Sequence, residues 1–394
     1  MQVSLAAMDS KATKFLTQAS ALLTWCSIAA IPLKLSLTYC FLFPAILSTL
    51  YLERKTLRAE FTKVLPQLKP FYLFILFILI AAPFGIDFGN SVTKILKLLV
   101  LSLCIFSFLK LFNRSGLIKP FLILISAQAI AALHSILEFF WQLPSIFLGA
   151  VTESGQLAMT IPVTLGILLT SKKDLPAWGK KLIGLLLATL ILALIFNLKR
   201  GPWLGAGVGT LLILLIHRPK ALWAVVTTII LALALFAPVR ERLLNTREHF
   251  AIAGGRQVMW SIAGDLATRY PMGVGYGNSR VLQRFAREIP PEHKHFHSNY
   301  LNILVETGYI GFVLFCAWLI SLISHGLRNS KHSRVSLAFT CAILSWAIAG
   351  IVEYNFGDSE VILLVFLILA GIIHINKTSS TASKSEGICL AQKT

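Results

Sequence analysis

The 394-residue chain is 56% hydrophobic and only 13% charged, with a mean hydropathy of +0.76. That usage is far more apolar than an average soluble domain, and apolar runs of this length imply an all-α membrane protein. A net charge of +19 would suggest nucleic acid in a soluble protein; here the basic residues are read first as topology signals, and no nucleic-acid partner is expected.

The N-terminus is polar as far as Leu16, and the first apolar run lacks a small-residue cleavage site. It reads as a retained span and not a signal peptide. Apolar runs of roughly membrane-spanning length fall at 16–33, 35–52, 69–84, 92–112, 117–137, 157–170, 182–198, 202–216, 221–238, 299–323, 335–354 and 359–375, which predicts twelve spans. The fourth carries Lys94 and Lys97 near its start and the sixth is short, so both are candidates for tilted or re-entrant elements. Cys26, Cys40, Cys104, Cys316 and Cys341 lie in apolar stretches without paired spacing and read as small buried hydrophobes.

Alternate loops carry the positive charge: Arg54, Lys55, Arg58, Lys63 and Lys69; Arg114 and Lys119; Lys172, Lys173, Lys180 and Lys181; Arg218 and Lys220; Arg328, Lys331 and Arg334. The positive-inside bias puts both termini in the cytoplasm. The chain then divides into nine spans over 1–238, a large outer loop over 239–298, three spans over 299–375 and a cytoplasmic tail over 376–394. The outer loop breaks the charge pattern, because it holds Arg240, Arg242, Arg247, Arg256, Arg269, Arg280, Arg284, Arg287 and Lys294. Long loops cross despite such charge, and an anionic ligand or lipid surface gives those residues a purpose.

Just before the eighth span, NLKRGPWLG places Lys199 and Arg200 at the outer boundary, followed by a helix-starting proline and Trp203 at interface depth. Within the outer loop, GGRQVMW sets Arg256 at the start of a helical run, where backbone N–H groups also point outward and a guanidinium completes an anion site. PMGVGYGN follows. Its GxGxG spacing lacks the strand and lysine of a phosphate loop and reads as a tight turn needing positive φ.

The segment HKHFHSNYLNILVETGYIG, residues 293–311, runs from polar and His-rich directly into an apolar helix, with His297 at the junction. Asn299, Asn302 and Glu306 share one helix face, a functional candidate at membrane depth; the bland alternative is a helix that hides a few hydrogen-bonded polar groups. Gly308 and Gly311 allow a bend or a close neighbour. Glu306 and Asp265 are candidates for a further acid or base, with buried structural roles the plainer reading. His293, His295 and His297 form HxHxH, which on an extended strand would suit zinc, but the helix signal starts at once at Ser298 and two arginines are available for an anion.

KRGPWLG, GGRQVMW with PMGVGYGN, and His297-Ser298 followed after nine residues by Gly308-Tyr309-Ile310-Gly311 resemble the O-antigen ligase family of bacterial membrane glycosyltransferases. SGQLAMTIP at 154–162 resembles that family only loosely, and no role is carried onto it. The resemblance implies about twelve transmembrane helices with one large periplasmic loop, of the multi-spanning lipid-phosphosugar-dependent (GT-C type) fold. It implies transfer of O-antigen polysaccharide from undecaprenyl diphosphate to a hydroxyl of lipid A–core at the periplasmic face of the inner membrane, in lipopolysaccharide biosynthesis, with no metal or other cofactor. By motif match His297 is the general base, and Arg200 and Arg256 hold the diphosphate. The helix dipole disfavours an imidazolium at position 297, and arginine binds phosphate oxygens bidentately, so the chemistry suits those roles. An O-antigen polymerase or a protein O-oligosaccharyltransferase would use the same donor. A transporter would place its site at the midplane between inverted repeats, and the sequence halves show no such repeat.

Overall fold

A computed structural model describes residues 2–170, 176–223, 227, 236–245, 255–279, 294–328, 330 and 333–391. Among these every regular element is helical: α1 (Gln2–Ala30), α2 (Leu35–Glu53), α3 (Leu57–Ala81), α4 (Phe88–Ser102), α5 (Cys104–Ser115), α6 (Ile118–Trp141), α7 (Ala150–Leu168), α8 (Ala177–Phe196), α9 (Arg200–His217), α10 (Ala237–Leu244), α11 (Arg256–Arg269), α12 (Asn299–Leu327), α13 (Arg334–Ala349) and α14 (Ser359–Ala391), with a 3₁₀ turn at Ala82–Phe84.

Seven stretches among the described residues are long and apolar enough to cross a membrane: α2, α3 with its 3₁₀ turn, α4 with α5, α6, α8, α12 and Ser359–Ser379 of α14. The protein is therefore a multi-pass membrane protein. Eleven of the twelve predicted runs fall on helices; the ninth, 221–238, lies largely outside the described residues, as do Arg247, Arg280, Arg284, Arg287 and His293. The fourth predicted span is interrupted at Leu103, which separates α4 from α5.

The short sixth run is the middle of a longer helix. α7 begins at Ala150, and every side chain from Glu153 to Ile167 is buried. It packs against α8, α9 and α13, so it needs no continuous apolar surface toward lipid and tolerates Glu153 and Gln156, which shortened its hydropathy signature.

Two backbone devices position the elements that carry the candidate residues. Gly201, Gly205 and Gly209 recur every fourth residue along α9 and form the stripe on which α13 lies: a Cβ built on Gly205 would come within 2.2 Å of the Ser345 carbonyl oxygen. With lipid as solvent, such close backbone approach supplies the packing attraction that apolar burial cannot. The second device is a break in α12 at Gly308, with φ +67°. It frees the Val305 and Glu306 carbonyls from helical bonding, and they accept the amides of Val274 and Gly275 at 2.9 and 3.0 Å. The glycine loop after Pro271 thus docks into the kinked helix, with Gly273, Gly275 and Gly277 all at positive φ, as the tight-turn reading predicts. Asn278 completes the junction, donating to the carbonyls of Asp87 and Val274 and to Ser91.

Candidate active site

His297 lies at the entrance to α12, one residue before the N-cap Ser298, whose side chain accepts the Leu301 amide. Its backbone is left-handed, at φ +51°. Among the described residues only three non-glycine positions have positive φ, Gln142, Leu198 and His297, and two of the three lie at or beside the residues singled out from sequence. Such conformations persist where surrounding contacts over-determine them, and they concentrate at functional sites. The contacts here are explicit. Phe296, fully buried, donates its amide to Asn302 Oδ1 at 3.3 Å and accepts the Trp260 indole N–H at 3.1 Å on its carbonyl. The His297 amide donates to Nδ1 of His295 at 3.3 Å, and the two imidazoles meet edge to face at 4.6 Å. On its other flank His295 packs against the Tyr354 ring at 5.2 Å.

Arg256 is the first residue of α11, after Gly255 as N-cap. The buried face of α11, Met259, Ala263 and Leu266, forms a small core with Val274, Phe296 and Val305, so the helix that presents Arg256 is packed on the residue preceding His297. The Arg256 Nη2 donates to Glu353 Oε1 at 2.9 Å, with the Glu353 side chain 8% exposed. Arg200 is the first residue of α9, after the left-handed Leu198 and the N-cap Lys199. Trp203 ties that helix start to α8 by donating its indole N–H to the Leu194 carbonyl at 2.6 Å, satisfying one of the carbonyls a helix end leaves open. Next to Arg200, Gly201 lies directly on Glu353: a Cβ there would be 2.8 Å from the Glu353 Cγ.

All three segments therefore converge on the turn at 350–358 between α13 and α14. The Asn299 amide is shared between the carbonyls of Gly350 and Glu353, at 2.7 and 3.2 Å. Its side chain accepts the amides of Asn355 and Phe356, both at 2.9 Å, and donates to Asn355 Oδ1. Asn302 and Glu306 turn the other way, toward Phe296 and Ser279. The polar face of α12 is thus a buried scaffold that joins three separated stretches, with each amide hydrogen-bonded. Of the two carboxylates considered as extra acids or bases, Glu306 is buried, whereas Asp265 is exposed on α11 and a buried role for it does not hold.

Glu353 was missed in the sequence. It falls inside the predicted span 335–354, whose helix ends at Ala349, and VEYNFGD with its two acids, Glu353 and Asp358, looks like an ordinary junction between a span and a loop. Chemically, the arrangement offers fixed guanidinium charge for an anion, a carboxylate that orients it, and an imidazole at a helix start. Among the described residues no group of three or more His, Cys, Asp or Glu side chains is arranged to hold a metal ion.

Residues 185–316 match the family model for O-antigen ligase. That stretch carries Arg200, Arg256 and His297, and it is similar to the O-antigen ligase family, whose members are glycosyltransferase-like enzymes. No curated protein matches the chain.

Proposed function

We propose that this protein is a metal-independent O-antigen ligase. It transfers polysaccharide from undecaprenyl diphosphate to a hydroxyl of lipid A–core at the periplasmic face of the inner membrane, with both termini in the cytoplasm. The observation that carries the reading is the convergence of the Arg200, Arg256 and His297 segments on the 350–358 turn, within and beside the family domain.

In this reading His297 takes the proton of the acceptor hydroxyl as its oxygen bonds to the anomeric carbon. The bond from that carbon to the diphosphate oxygen breaks, and undecaprenyl diphosphate leaves with the electron pair. Arg200 and Arg256 stabilise the charge that develops on the leaving group. Glu353 holds the Arg256 fork in one orientation, so less ordering remains for the moment of reaction. Diphosphate is already a good leaving group, and positioning with charge stabilisation carries most of the catalysis.

The test is transfer by purified protein given a lipid-diphosphate glycan and a lipid A–core acceptor. Polymer appearing on core, with release of undecaprenyl diphosphate and unchanged rate in excess chelator, supports the reading. Loss with chelator and recovery with zinc or magnesium would overturn the metal-free mechanism. Lengthening of the lipid-linked chain with no transfer to core would make the protein a polymerase instead.

A further inference from the structure

Lys94 and Lys97 are expensive residues for a membrane span, and the chemistry above uses neither. Both line a cavity of about 320 Å³, together with Lys294, Thr152, Ser279 and Asp358. That volume is at the lower bound of small-molecule sites, roughly 300 Å³. The lysines are held in place by packing. The Lys94 stem lies against Gly277, where an added Cβ would be 2.7 Å from its Cγ, and the Lys97 ammonium is 5.6 Å from the Tyr39 ring centroid.

The rest of the lining is polar in a way that suits hydroxyl groups. Ser279 and Thr152, the aromatic residues Tyr276, Tyr354 and Phe356, and the acid Glu306 are among its lining residues. Glu306 is 1% exposed; its Oε1 accepts the Ser279 amide at 3.2 Å, while its Oε2 has no hydrogen-bond partner among the described residues. A buried carboxylate oxygen left over in this way is costly unless a ligand hydroxyl meets it. The cavity also adjoins the candidate active site, because His295 lines it and touches the His297 ring.

We propose that this cavity binds the second substrate, an anionic saccharide, with its phosphate or carboxylate at Lys94, Lys97 and Lys294 and its hydroxyls at Ser279 and Glu306. The acceptor role rests on the transferase reading; the recognition of an acidic sugar does not. The pocket lies on the Tyr354 side of His295, and neither Arg256 nor Glu353 lines it.

Binding of glucose 6-phosphate, glucuronate, glucose and inorganic phosphate to the full-length protein in detergent, followed by saturation-transfer NMR, tests this. Both acidic sugars should bind at least tenfold more tightly than glucose and than inorganic phosphate. The Lys94→Gln/Lys97→Gln pair should remove that preference, Lys294→Gln should weaken it, and Arg256→Ala should leave it unchanged. Lys294→Gln alone serves if the double variant does not fold. Equal binding of glucose and glucose 6-phosphate, phosphate binding as tightly as the sugar phosphate, or loss in Arg256→Ala but not in the lysine variants would overturn the proposal. Acidic-sugar binding by a protein that performs no glycan transfer would overturn the catalytic reading and leave the site standing.

Discussion

The Arg256 guanidinium and the Glu353 carboxylate meet at 2.9 Å, joining the first residue of α11 to the turn that precedes α14. Glu353 is nearly enclosed, with its side chain 8% exposed, and Arg256 retains more access at 23%. The pair therefore leaves the guanidinium reachable on one side while fixing it on the other.

Replacing Glu353 with Gln should slow transfer without emptying the site of cation. A hydrogen bond to a charged group contributes about 1.5–3 kcal/mol, so the rate should fall roughly ten- to hundred-fold. Arg256→Ala and Arg200→Ala remove the charge itself and should cost more, about 2.7–4 kcal/mol or roughly a hundred- to thousand-fold. Lysine at either position should rescue only in part, because a point charge lacks the bidentate fork. Single-turnover transfer at limiting donor is the measurement. Full activity of Arg256→Ala would return that arginine to a structural role.

His297 gives a prediction in which stability and activity move in opposite directions. Its φ of +51° is a conformation that costs a residue with a Cβ about 1–2 kcal/mol and glycine almost nothing. His297→Gly should therefore fold at least as stably as the parent, with a gain approaching 1 kcal/mol, and be inactive. His297→Ala should be inactive without that gain. Thermal unfolding in detergent, paired with the transfer assay, reads both; near-normal transfer by either variant would remove the base assignment.

The glycine stripe of α9 predicts sharply different outcomes for neighbouring residues. Gly207 faces open space, with nothing within 4 Å of an added Cβ, whereas Gly205 and Gly209 face Ser345 of α13 at 2.2 and 2.1 Å. Gly207→Ala should stabilise by about 0.5–1 kcal/mol through helix propensity. Gly205→Ala should destabilise by about 1–3 kcal/mol, because α13 must shift, and should disturb the seating of Gly201 on Glu353. The same alanine scan, read by melting temperature and transfer rate, fails to support this packing if the two variants behave alike.

What could be read in the sequence followed from periodicity and from backbone chemistry. The helix starts at Arg256 and Asn299, and the positive-φ turn in PMGVGYGN, were legible because caps and glycines act locally, while α9 begins at Arg200, two residues before the expected Pro202. The bend at Gly308 was legible as a possibility, but its partner, the Gly273 loop, was not: a long-range insertion leaves no local trace. Glu353 and the burial of α7 were hidden for a related reason. Hydropathy reports a helix's preference for lipid, and a helix enclosed by protein, or an acid that meets an arginine some hundred residues away in the chain, answers to packing instead.

Asp358 yields a pH prediction for the cavity. It lies just before α14 and accepts the Thr152 hydroxyl at 2.9 Å. Burial pushes its carboxyl up to about 6, with Glu360 adding to the rise and the Thr152 hydrogen bond and the Lys97 charge opposing it. An unfolded aspartate titrates at about 3.9. Between those values the folded protein holds a proton that the unfolded chain has released, so stability should fall as pH rises from roughly 4 to 6 and then level off. Asp358→Asn should abolish this slope and leave the groups around it, Thr152 on α7, Lys97 and Lys94 on α4, Glu360 on α14, and Lys294 and His295 beside the cavity, in place. Lys97→Gln removes a charge that favours the carboxylate, so it should carry the lower-stability plateau to higher pH. Melting temperatures across pH 4–8, taken as the difference between parent and Asp358→Asn to cancel contributions common to both, measure the effect. A difference that stays flat through that range, or that rises with pH, would show that burial does not raise the Asp358 carboxyl above its unfolded value.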